Sequence, residues 1–360
     1  MSIALTMAGF ERSLREAGVR HTRLPLAGGH FVVVTEHWGK VFGPFCGDEP
    51  ATLWISAKAA DPRGMKDLVQ SGDWCVGGDR IWLAPEVQFN IPDRLHWDSG
   101  GAYVLPKAVD PGEYTLTQAE SGCLRLEQSI CLPLHNLATG VKKVRIRRTV
   151  RPARDPLRFT GGYAALREKV VFTGYSQEIE LEDLSGGPAG VEVWNLAQFN
   201  PGGIVIIPTT GMVEYQDYYQ PVSERYYRSE GSFAYLRFTG DRKYKIGIKA
   251  PGLYGRIGYF SALPRGSARL VVINFFNNPS SAYVDEPSGK IGAQGDSVQF
   301  YNDDGGLGGF SEIEVHGMSV GGNSGRKSTV DPVEFWQYTG GEREIVRVSQ
   351  MLLGTTKTGF

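Results

Sequence analysis

Three side chains in Phe310-Ser-Glu-Ile-Glu-Val-His316 are of kinds that move protons: Glu312, Glu314 and His316. They recur every second residue, so an extended strand sends all three to one face while Ile313 and Val315 take the other. Two carboxylates beside an imidazole can raise one carboxyl's pKa and supply a general acid and a general base together. The same alternation also fits a solvated outer strand face.

Two further clusters carry polar and aromatic side chains together. In Gly77-Gly-Asp-Arg-Ile-Trp-Leu-Ala-Pro-Glu86 the paired glycines permit a tight turn, after which Arg80, Trp82 and Glu86 share one parity. A planar aromatic between a guanidinium and a carboxylate makes a sugar-contacting surface, or else a buried Trp beside a structural ion pair. The segment from Trp194 to Asn200 adds Trp194 and Gln198, whose indole and amide can donate to hydroxyls, the amide also accepting; Asn200, before Pro-Gly-Gly, reads as a turn residue. Tyrosines 215, 218, 219, 226 and 227, with Arg225 and Arg228 among them, form an aromatic stretch that either stacks on a sugar or packs.

Other chemistries are excluded by missing motifs. The sequence has no G-x-S-x-G, no H-E-x-x-H, no Walker loop and no G-x-G-x-x-G after a strand. His30/His37 and His96/Asp98 have no spacing tied to a metal site, and no metal is expected. The four cysteines, Cys46, Cys75, Cys123 and Cys131, form no C-x-x-C pair; with Leu flanking Cys123 and Cys131, they are read as small core side chains rather than ligands.

The elements that must position these residues are strands. With 41% hydrophobic and 21% charged residues the chain of 360 can bury a large core, which excludes a disordered polymer. Lys and Arg number 38 against 39 Asp and Glu, so no global field calls for nucleic acid or an anionic membrane, and no apolar run is long enough to span a bilayer. The charged start lacks the uninterrupted apolar stretch of a signal peptide, from which a cytoplasmic location is expected. Forty-seven glycines and 20 prolines punctuate runs rich in Val, Ile, Tyr, Phe and Thr. In residues 142–151, Lys143, Arg145, Arg147 and Arg151 share one face and Val144, Ile146 and Val150 the other, and in 243–249 the lysines lie opposite Tyr244, Ile246 and Ile248, so each segment reads as a half-buried antiparallel strand. Strands are also expected at 31–35, 170–175, 203–209, 256–263, 268–276 and 344–353. Helix is expected only near 8–17 and as a short turn at 61–69, where Asp-Pro opens it. The glycine-rich stretches 304–309 and 320–325 read as loops. The fold class is therefore all-β.

In their order, GGDRIWLAPE, VWNLAQFNPGGIVIIPT, KIGIK and FSEIEVH give the chain, over about residues 25–320, a pattern that resembles bacterial members of the galactose mutarotase-like (aldose 1-epimerase-like) superfamily. The resemblance implies a large antiparallel β-supersandwich with a sugar-sized groove, residues 25–360 forming that unit and residues 1–24 a partly helical extension. It also implies that a late-strand glutamate, similar in position to Glu312 or Glu314, takes the anomeric proton while a histidine protonates the ring oxygen. His135, in LPLHNLATG, is the mid-chain candidate for that acid, and His316 the alternative. The expected function is aldose epimerase or mutarotase chemistry on a monosaccharide or small sugar derivative, without metal or organic cofactor, with Arg80, Trp82, Glu86, Trp194 and Gln198 contacting the sugar. Polysaccharide lyase-type β-elimination and cofactor-free carbohydrate binding without catalysis are the alternatives, because the same fold hosts both.

Overall fold

Alternation along each strand decides which side chains meet between the sheets and which turn away. The computed structural model describes residues 6–47, 50–96, 103–120 and 122–360. Asp98, half of one histidine pairing, lies outside them. The strands assemble into two antiparallel sheets of ten strands each. The first runs in the order His21–Pro25, Phe31–Thr35, Val41–Phe45, Asp79–Ala84, Gly190–Phe199, Ser311–His316, Val298–Asn302, Tyr244–Ile248 and Gln216–Asp217, with Val320–Gly321 on the side of Gly190–Phe199. The second runs Tyr227–Glu230, Phe233–Phe238, Gly203–Pro208, Arg256–Leu263, Ser267–Phe275, Ser328–Gly341, Val170–Asp183, Gly140–Pro152, Cys123–Leu134 and Thr115–Glu120.

The sheets pack face to face. Ile81, Leu83, Val193, Ala197, Ile313 and Val315 from the first join Val144, Ile146, Ile179, Leu181 and Val271 from the second in one buried core. Polar side chains cross this core as well: Asp79 meets Arg148 at 2.8 Å, Tyr175 donates to it at 2.7 Å, and Asn195 donates to it at 2.5 Å. Each partner is buried, so Asp79 is a fully compensated charge. It also fixes the orientation of its strand: with Asp79 turned to the second sheet, Arg80 and Trp82 must turn away.

The glycine pair before that strand is required by close approach. Gly77 and Gly78 adopt φ of 111° and 80°. A Cβ on Gly77 would stand 2.2 Å from the Trp54 carbonyl oxygen.

The chain departs from its expected elements at its end. Residues 344–353 belong to a helix, Glu342–Leu353, not a strand. Ile345, Val348, Leu352 and Leu353 recur at helical spacing and pack with Leu270, Val272 and Trp336 of the second sheet. Acidic residues open the helix and Gly354, at φ 84°, closes it. The N-terminal helix spans Met7–Glu16, and the Asp-Pro signal opens Pro62–Ser71, capped by the Asp61 side chain. No helix among the described residues is long and apolar enough to cross a membrane.

The cysteines are not core residues. Cys131 is exposed and the other three are partly exposed. On Cys123–Leu134, Leu124 and Leu132 point inward, so their neighbours Cys123 and Cys131 point out; flanking leucines on a strand argue against burial of the residue between them.

Candidate functional site

Five neighbouring strands, Asp79–Ala84, Gly190–Phe199, Ser311–His316, Val298–Asn302 and Tyr244–Ile248, turn one face away from the second sheet. A cavity of about 330 Å³ sits on that face. Its wall includes Arg80, Trp82, Glu86, Trp194, Glu312 and Glu314, which the sequence had singled out, and also Trp74, Tyr218, Tyr219, Lys245, Tyr301 and Phe310. Pairing sets the neighbours: Trp82 lies opposite Trp194, Arg80 opposite Leu196, and Leu196 opposite Glu314. Leu307 reaches the wall from the glycine-rich loop, where Asp303 accepts the backbone N–H groups of Gly305, Leu307 and Gly309 at 2.8–3.0 Å.

Two buried cations, Arg80 and Lys245, organise the wall. Arg80 Nη2 stands 2.7 Å from Glu312 Oε1, and its guanidinium lies over Trp82 at 4.3 Å and Trp74 at 5.2 Å. Lys245 Nζ stands 3.4 Å from Glu314 Oε2 and 3.7 Å from Glu86 Oε2, over the rings of Trp194 at 4.4 Å and Tyr218 at 5.1 Å. The Trp194 indole N–H donates to Glu314 at 2.8 Å. The protein's own cations therefore lie over the two central tryptophans.

These surroundings change the acids. Burial pushes the Glu314 carboxyl up to about 7, with Lys245 opposing and Glu312 reinforcing the shift. Burial also raises Glu86, again against Lys245. Lys245 is itself held above its usual range: burial disfavours its charge, but Glu314 and Glu86 outweigh it. A second tier supports the tryptophans. Trp82 donates to Asp110 at 2.9 Å, and Lys40, fully buried, stands 3.4 Å from the same carboxylate.

Three expected residues do not reach the wall. His316 shares the strand face of Glu314 but is buried against Trp194, rings stacked at 5.7 Å and 18°, with Nδ1 bonded to Glu192 at 3.2 Å. Burial works against its protonation, yet the Glu192 carboxylate more than offsets this and raises its pKa. His135 sits in the hairpin between Cys123–Leu134 and Gly140–Pro152 of the second sheet, its backbone N–H donating to Gln88 at 3.3 Å. It is not among the described residues that line the cavity. Gln198 has the right parity, opposite Glu312, but is fully buried; the Leu53–Trp54 segment pairs with its end of the strand.

Lys245 is the residue that the sequence concealed. Its alternation with Tyr244 and Ile246 is legible, but the lysine face reads as solvent when nothing shows that a cavity covers it. Among the tyrosines, 218 and 219 reach the wall, whereas Tyr215 and Tyr227 pack on each other at 4.7 Å.

The chain is similar to several solved structures. A provisionally assigned aldose 1-epimerase from Escherichia coli K12 is 12% identical, with 89% of this chain and 99% of that one covered and a TM-score of 0.48. For a galactose mutarotase-like protein from Lactobacillus casei ATCC 334 the figures are 8%, 89%, 99% and 0.40. For a galactose mutarotase related enzyme from Lactobacillus acidophilus they are 10%, 89%, 97% and 0.39. No curated protein matches the chain. A family model does match, over residues 29–356, and the chain belongs to that family, DUF6786, a family of unknown function.

Proposed function

We propose that this chain is a carbohydrate-active protein that takes a monosaccharide or small sugar derivative into the cavity beside Glu312 and Glu314 and performs aldose epimerase-type acid–base chemistry on it. The observation that carries this reading is the Glu314 carboxyl, buried in the wall and pushed up to about 7. A group with that pKa is present in both protonation states near neutral pH, as a base that accepts a proton and later returns it must be. The cavity, about 330 Å³, lies at the small end of the roughly 300–1,000 Å³ common for ligand sites, which favours a single sugar over a polymer and counts against the lyase alternative. In this reading residues 25–360 form the sugar-binding unit, and residues 1–24 are an extension whose end, residues 21–24, joins the edge of the first sheet.

Glu314 takes the proton of the anomeric hydroxyl as the C1=O bond forms, the C1–ring oxygen bond breaks with the ring oxygen taking a proton from a second, acidic group, and closure on the other face reverses both transfers. Glu312, Arg80 and the aromatic wall orient the sugar. The non-catalytic alternative is favoured by one observation: among the described residues, no histidine lines the cavity. A calorimetric screen of monosaccharides, followed by NMR exchange measurements of anomer interconversion on the binders, tests both. Binding with accelerated exchange supports the epimerase; tight binding at the uncatalysed exchange rate supports the binding protein and removes the epimerase.

A further inference from the structure

Lys245 faces more carboxylates than it can balance. Its ammonium meets Glu314 Oε2 at 3.4 Å and Glu86 Oε2 at 3.7 Å. Glu86 opens the short helix Glu86–Phe89, where its backbone N–H donates to Asp285 Oδ1 at 2.6 Å, so a third, fully buried carboxylate stands next to it. The other buried charges nearby are committed elsewhere: Arg80 to Glu312, His316 to Glu192 and Lys40 to Asp110. One ammonium among three carboxylates leaves net negative charge out of water, a costly arrangement that a bound proton relieves.

We propose that Glu86 and Glu314 hold one proton between them across Lys245, and that Glu86 is the general acid of the reaction proposed above. The inference rests on the epimerase reading and supplies the proton donor that neither His135 nor His316 is placed to be. Ring opening then balances within the cavity. The anomeric O–H breaks and its proton goes to Glu314; the electron pair it leaves forms the C1=O bond. The C1–ring oxygen bond breaks, and the ring oxygen takes the proton of Glu86 to become a hydroxyl. Closure on the opposite face reverses both transfers. No electrons leave the sugar, so no oxidant or reductant is needed. The groups facing Glu86 are Lys245, Asp285 and Tyr103; those facing Glu314 are Lys245, Glu312, His316, Glu86 and the Trp194 N–H. Burial raises both acids and Lys245 restrains both.

The test uses the full chain with Glu86→Gln, Glu86→Asp and Glu314→Gln. Infrared spectra at pH 7 are expected to show a protonated carboxyl band in the wild type and in Glu86→Asp, diminished in both amide variants. Turnover in Glu86→Gln is expected to fall by about 10²–10⁴-fold with sugar affinity unchanged, and to lose the decline at high pH that deprotonation of an acid imposes. Glu86→Asp, which keeps the carboxyl if the amide disturbs folding, retains part of the rate. Absence of the band from the wild type overturns the shared proton. Full turnover in Glu86→Gln beside an inactive Glu314→Gln overturns the role of Glu86 and leaves the epimerase reading standing, whereas a wild type without turnover on any bound sugar overturns both.

Discussion

His316 and Glu314 leave the same strand on the same face, yet each meets Trp194 instead of the other. The imidazole stacks on the indole at 5.7 Å and the carboxylate accepts its N–H at 2.8 Å. One tryptophan thus keeps the histidine off the cavity wall and holds the glutamate on it.

Glu314→Gln is expected to reduce anomer exchange by about 10²–10⁴-fold while sugar affinity stays close to the wild type, because the amide keeps the shape but accepts no proton. NMR exchange rates and calorimetry on the same sugar check it. An unchanged rate removes Glu314 as the base.

The raised carboxyl also makes stability depend on pH. Between its ordinary 4.5 and about 7, Glu314 holds a proton in the folded chain that the unfolded chain has released. Stability from this group is therefore lost as pH rises through that window, by about 3 kcal/mol in total. Asp296 and Asp331, each raised by burial to about 6, act in the same direction. Urea midpoints at pH 5 and pH 8 are expected to differ less in Glu314→Gln than in the wild type. An equal difference would refute the assignment.

Arg80→Met leaves Glu312 buried without its cation and is expected to cost about 3–5 kcal/mol. Adding Glu312→Leu removes the orphaned charge and should recover much of the loss. Equilibrium denaturation of the single and double variants decides the matter; a single variant as stable as the wild type would show that the pair is not the compensated one described here.

On the C-terminal helix, Ile345→Ala is expected to cost about 2–5 kcal/mol and Arg347→Ala nearly nothing. A strand would put both residues on one face, whereas the helix sends Ile345 into the core and Arg347 to solvent. Comparable losses at the two positions would restore the strand.

What the sequence determined is local and periodic. Alternation of two places Arg80 with Trp82 and Glu312 with Glu314, because successive strand side chains point to opposite faces whatever surrounds them. The same rule was legible in the inward leucines beside Cys123 and Cys131. In residues 342–353 the helical spacing of Ile345, Val348 and Leu352 was legible too, but an apolar run rich in β-branched residues reads equally as strand until a sheet face is there to receive it. Periodicity assigns a face but says nothing of what covers it. Tertiary structure alone decided that Lys245 meets two carboxylates instead of water, that Trp194 seals His316 against Glu192, and that the segment at Leu53–Trp54 runs alongside the strand end carrying Gln198. Each of these depends on residues 69 to 159 positions apart, and the energy of a charge in a strand is set by the groups that fold brings against it, not by its neighbours in the chain.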